Sequence, residues 1–116
     1  MNLPDLTQAL LQFRDERNWA QFHTLRNLIV SLNLEAAELL ELTQWKSEEE
    51  MLGISGEALR DECADVLLYL LLIADKAGIN LEEAARNKLK KNAAKYPVEK
   101  SYGSSRKYTQ LDLRED

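Results

Sequence analysis

The run Val66 to Ala74, VLLYLLLIA, restricts the fold of this chain more than any other feature. It is apolar at every position, so a helix built from it has no polar face and must be buried on nearly every side. At nine residues it is far too short to cross a bilayer. The rest of the chain offers no sheet to cover it. The Val/Ile/Thr/aromatic alternation of strands nowhere lasts more than a few residues, and helical periodicity runs through most of the sequence instead. Four glycines and two prolines are too few for a loop-rich sandwich or a disordered linker. With 45% apolar residues, the 116-residue chain can form a real core as one modestly stable domain. These features predict an all-α four-helix bundle, with the all-apolar helix inside it or at a subunit interface.

The punctuation of the sequence divides the helices. A first helix is expected over about Leu3 to Asn18, with Pro4 suited to its opening turn and Asp5 to its positive end. Trp19 to Thr24 read as a linker, and a long second helix as covering Leu25 to Lys46. The acidic SEEE with Gly53 and Gly56 marks a loop. Ser55 suits the N-cap of a third helix over Gly56 to Ala77, which Gly78 closes. Asn80 suits the cap of a fourth, with Glu82 and Glu83 in its first turn, running to Lys95 before Pro97. Residues 1–97 therefore form the domain, and 98–116 read as an extended polar tail.

Charge and cysteine content narrow the function. Fifteen basic against twenty acidic residues give a net charge of −5, which argues against a duplex-DNA binder needing a basic face. One cysteine excludes an internal disulfide framework or a multi-cysteine zinc site. MNLPDLTQALLQFRDE lacks the basic start and apolar core of a signal peptide. A cytoplasmic protein that binds neither nucleic acid nor membrane is expected.

The second and third helices carry the informative acids. Glu35 and Glu38 are i and i+3 neighbours, in one sector with Ser31, Leu42 and Trp45. They border an apolar arc of Leu25, Leu28, Leu32, Ala36, Leu39 and Leu40. Glu62 and Asp65 repeat the spacing, with Tyr69 one turn further on. Cys63 points about 100° from Glu62, toward the apolar arc, and reads as a packing residue. A solvated acidic face belongs opposite the core, and uncompensated carboxylates beside one become protonated or find cations. If the two helices pack antiparallel, four carboxylates converge in the all-oxygen shell that Mg²⁺ or Mn²⁺ prefers. A single ExxE pair is usually just a solvated face; two bordering one arc leave both readings open.

Other residues are less decisive. Trp19, Phe22, His23 and Trp45 flank the second helix and suit a stacked nucleobase, although core or hinge packing explains aromatics equally well. Lys88, Asn92 and Lys95 share one face of the fourth helix and, with Arg106 and Lys107, form a basic patch that suits polyphosphate oxygens. A lysine-rich last turn is also what the helix dipole favours. No nucleophile–base arrangement or glycine-rich phosphate loop is visible, which leaves metal-activated water as the available chemistry.

Together, Glu35-Ala-Ala-Glu38 and Glu62-Cys-Ala-Asp65 resemble the ExxE…ExxD signature of the MazG-type all-α nucleoside triphosphate pyrophosphohydrolases. The stretches RNWAQFHTLRNLIVSLNLEAAELLELTQWK, DECADVLLYLLLIADKAGINL, KLKKNAAKYP and GSSRKYTQL are similar to the dCTP pyrophosphatase branch, from about Arg14 to Leu111. The resemblance implies hydrolysis of a (deoxy)nucleoside triphosphate, such as dCTP or a modified pyrimidine nucleotide, to monophosphate and pyrophosphate. It implies Mg²⁺ (Mn²⁺ as an alternative) on Glu35, Glu38, Glu62 and Asp65, and nucleotide contacts from Trp19, Phe22, His23, Trp45 and Tyr69. Lys88, Asn92, Lys95 and Tyr96, with Arg106 and Lys107, would meet the phosphates, and Glu38 or else Glu41 would take the proton of the attacking water. A homodimer or homotetramer is implied as well. Leu10 stands where some relatives carry a substrate-contacting histidine, so base preference stays open. The alternatives are dUTP or broad triphosphate specificity at the same site, or a non-catalytic helical oligomerisation module.

Overall fold

The computed structural model describes residues 1–53 and 56–112 and is all-helical, without a strand among the described residues. It divides into two compact units, Met1–Asn80 and Leu81–Asp116, described in turn.

The first unit opens with α1 (Leu3–Glu16), which has Asn2 as N-cap, its side chain accepting from the Asp5 N–H at 2.9 Å. The helix stops two residues short of the expected Asn18, and the ending is a Schellman turn. Asn18 takes a left-handed φ of 52°, its N–H bonds to the Asp15 carbonyl, and the Trp19 N–H reaches back to that of Arg14. The expected linker contains a 3-10 turn, Ala20–Phe22. Thr24 then caps α2 (Leu25–Glu41) by accepting from the Asn27 N–H.

Helix α2 ends five residues before the expected Lys46. The N–H groups of Leu42, Thr43 and Gln44 bond to carbonyls three residues back instead of four, and the Thr43 hydroxyl donates to the Leu40 carbonyl at 2.7 Å. A side chain that competes for the helix's own acceptors tightens and stops it. Where a loop was expected, SEEE begins a short helix, α3 (Glu48–Leu52), on a capping box. Ser47 accepts from the Glu50 N–H, and the Glu50 carboxylate from that of Ser47. The proposed cap Ser55 lies outside the described residues. Helix α4 (Gly56–Ala77) has the expected bounds and closes on Gly78, φ 69°, in a second Schellman turn.

Helix α4 packs most extensively against α2 and also against α1. Its less exposed positions include Ala58, Glu62, Asp65, Tyr69 and Leu72, a four-three spacing that forms one seam. The matching seam on α2 is Leu28, Ser31, Leu32, Glu35, Leu39 and Leu42. The inner face of α2 is therefore rotated from the expected arc. Leu25, Ala36 and Leu40 are exposed, while Glu35 stands on the seam itself. Leu28, Leu71, Leu72 and Ala74 are the buried apolar residues among those described. Val66 to Ala74 is not covered all round, since Leu67 and Leu70 are 38% and 36% exposed. Cys63, expected to pack, is exposed with Leu59 on this outer stripe, because the seam takes the Glu62 side of the helix.

The second unit consists of α5 (Leu81–Lys95), α6 (Val98–Ser101) and a 3-10 turn, Tyr108–Gln110. The segment read as an extended tail is therefore partly helical. Pro97 supplies the opening carbonyl, which accepts from the N–H groups of Lys100 and Ser101.

Candidate metal centre

The seam between α2 and α4 brings three of the four expected acids together. Glu35, Glu62 and Asp65 each offer a carboxylate oxygen within 4.8 Å of the others. Glu35 falls at a seam position between Leu32 and Leu39 on α2, and Glu62 and Asp65 at seam positions between Ala58 and Tyr69 on α4, which is why they converge. Glu35 Oε2 and Glu62 Oε2 are buried without a hydrogen-bond partner. Buried carboxylate oxygens without donors are costly unless a cation meets them, and all-oxygen donors suit a hard divalent ion. The residues present fit such an ion.

Glu38 stands beside the group, close enough for its carboxylate to act on Glu35 and Glu62. Burial pushes the Glu35 and Glu62 carboxyls above the ordinary glutamate range; the neighbouring Glu38 carboxylate and the charge of Asp65 push the same way. A cation would reverse this balance by favouring the charged forms. Glu41, the last residue of α2, is exposed and outside the three-acid group. Tyr69 continues the seam one turn beyond Asp65 and is half-buried.

The aromatic candidates of the first unit occupy different settings. Trp19 meets Phe13 edge-on, ring centroids 5.7 Å apart, with the Arg17 guanidinium 3.6 Å over the Phe13 ring. The i, i+4 pair Phe13–Arg17 is a signal that could have been read from sequence, and neither residue was singled out. Phe22 is exposed. His23 is half-buried, with Nδ1 shielded from solvent and lacking a partner; burial, then the Arg14 charge, lowers its pKa. Trp45 is 92% exposed at a left-handed φ of 64°, not in the helical sector expected for it. A bulky residue seldom adopts that conformation, so the turn holds it there at the cost of strain.

Lys88, Asn92, Lys95, Tyr96, Arg106 and Lys107 belong to the second unit. Lys88 is exposed, and Asn92, half-buried, accepts the Tyr96 N–H at its carbonyl. The Arg106 N–H donates to Ser104 Oγ, and Lys107 precedes the final turn. The Lys95 ammonium lies over the ring of Tyr108, a residue that sequence reasoning did not single out.

Comparisons with known proteins place the chain in a family. Residues 30–111 match the model of the MazG-like family. Human dCTP pyrophosphatase 1 is 40% identical over 115 residues, 94% of this chain and 67% of that protein. The mouse protein of that name is 41% identical, with the same coverage. A crystal structure of a pyrophosphatase from Archaeoglobus fulgidus superposes with a TM-score of 0.77 at 45% identity, covering 81% of this chain and 91% of that one. The chain belongs to the MazG-like family. Within it, the named relatives over nearly the whole chain are dCTP pyrophosphatases.

Proposed function

We propose that this chain is a Mg²⁺-dependent nucleoside triphosphate pyrophosphohydrolase that cleaves dCTP, or a modified pyrimidine nucleotide, to the monophosphate and pyrophosphate. The observation that carries the reading is the convergence of Glu35, Glu62 and Asp65 with two buried, partnerless oxygens, in a chain about 40% identical to dCTP pyrophosphatases. Glu35, Glu38, Glu62 and Asp65 would hold the ion, with Mn²⁺ an alternative. When bound, the cation neutralises triphosphate charge and lowers the pKa of a coordinated water.

The chain's own residues have distinct parts in the reaction. Glu38, beside the three-acid group, accepts the proton of the attacking water; Glu41 is the second candidate. Trp19, Phe22, His23, Trp45 and Tyr69 contact base and sugar. Lys88, Asn92, Lys95 and Tyr96, with Arg106 and Lys107, bind phosphate oxygens and hold the leaving pyrophosphate. The exposed stripe Leu59, Cys63, Leu67 and Leu70 supports a homodimer or homotetramer. A cytoplasmic location belongs to the proposal, because the substrates are free nucleotides.

The test is pyrophosphate release from a panel of (d)NTPs, with and without Mg²⁺, for wild type and Glu62→Gln. Metal-dependent release that collapses in the variant supports the reading, and the best substrate separates dCTP from dUTP or broad specificity. No release from any nucleotide would favour a non-catalytic helical module.

A further inference from the structure

Helix α5 ends at Lys95, and the ring of Tyr108 meets that helix end from two directions. The Lys95 ammonium lies over the ring, 4.8 Å from its centroid. Tyr96 contacts the same ring edge-on, centroids 6.0 Å apart at 80°. The Tyr96 N–H bonds to the Asn92 carbonyl at 2.8 Å, which continues the helical pattern through this contact. The ring is itself held in place. The Gln110 N–H closes the 3-10 turn onto the Lys107 carbonyl at 2.8 Å, and Lys100 pairs with Asp112 at 2.5 Å, tying the segment to α6.

We infer that Tyr108 is a positioning residue whose ring fixes the Lys95 ammonium for a phosphate oxygen of the substrate. The inference rests on the pyrophosphohydrolase reading, which gives Lys95 its phosphate. A free lysine side chain carries rotamer entropy that anion binding must otherwise overcome. An aromatic face attracts the ammonium from one side through its quadrupole, leaving the N–H donors that point away from the ring for an anion. A carboxylate in the same place would also fix the lysine but would cancel its charge.

The test is a cycle of Tyr108→Leu, Lys95→Ala and the double variant, with Tyr108→Phe as the conservative control. Each is assayed for Mg²⁺-dependent pyrophosphate release from dCTP. Tyr108→Leu is expected to raise KM about two- to fivefold with kcat little changed, Tyr108→Phe to match wild type, and Tyr108→Leu to add almost nothing once Lys95 is alanine. A fluorinated phenylalanine at 108 keeps the ring's shape but weakens its negative face, so it must raise KM even if the leucine variant fails to fold. An unchanged KM, an equal rise in the Lys95→Ala background, or a Tyr108→Phe variant as impaired as leucine would overturn the assignment. Absence of turnover in wild type would instead sink the enzymatic reading, and this role with it.

Discussion

At the level of single residues, the behaviour of the centre follows from like charges crowded on a helix seam. Burial and neighbouring acids raise the Glu35 and Glu62 pKa values in the folded chain. Between the ordinary glutamate value and the raised native one, the native state binds more protons than the unfolded state. Stability of the metal-free protein therefore falls as pH rises through that window and recovers below it. Thermal melts of the metal-free protein from neutral pH downward should show the gain in wild type, and a smaller one in the Glu35→Gln/Glu62→Gln variant; saturating Mg²⁺ should flatten it. In the same variants, Mg²⁺-dependent pyrophosphate release should drop by two orders of magnitude or more, about 3 kcal/mol of transition-state stabilisation. Higher metal-free stability together with full activity would argue for solvated acids. The ExxE and ExxD spacings were legible in the sequence. The division of labour was not: Glu35, Glu62 and Asp65 converge while Glu38 stands beside them, and a difference of one helical sector decides it.

Among the elements, the helices with strong punctuation were read best. Helix α4 keeps its expected bounds because Gly78 can take the left-handed turn that closes it. Helix α1 ends by the same device, but there the residue is Asn18, whose tolerance for that conformation is a weaker signal than glycine's. Asn18→Gly should leave stability unchanged or slightly raised, while Asn18→Val should cost about 1–2 kcal/mol, read as a lower denaturation midpoint. The early end of α2 depends on the Thr43 hydroxyl bonding to the Leu40 carbonyl, a local competition that apolar periodicity does not register. The capping box of Ser47 and Glu50 was visible as S-x-x-E but was masked by the reading of SEEE as a charged loop. Ser47→Ala should cost about 1 kcal/mol and should loosen α3 first, seen as faster amide exchange over residues 48–52.

On the scale of the whole molecule, Leu28, Leu71, Leu72 and Ala74 alone are buried apolar residues among those described. Leu72→Ala should therefore cost about 2–5 kcal/mol. Leu67→Glu with Leu70→Glu should change little in the isolated fold but convert an oligomer to monomer, measured by sedimentation; unchanged mass would exclude that stripe as the interface. No described helix is long and apolar enough to cross a membrane, as the length of Val66 to Ala74 already implied. The sequence by itself determined the helical class, the bounds of α4 and α5 and the two acid pairs, because these depend on residue type and on spacings within one helix. Only the tertiary structure decided that the acids share the seam with the leucines, that Trp45 stands out in a left-handed turn, and that Tyr108 covers Lys95. The first depends on the rotation of one helix against another and the last on a contact between separate segments, while the Trp45 turn follows from local hydrogen bonds that tighten the chain after α2. No period along a single helix encodes that.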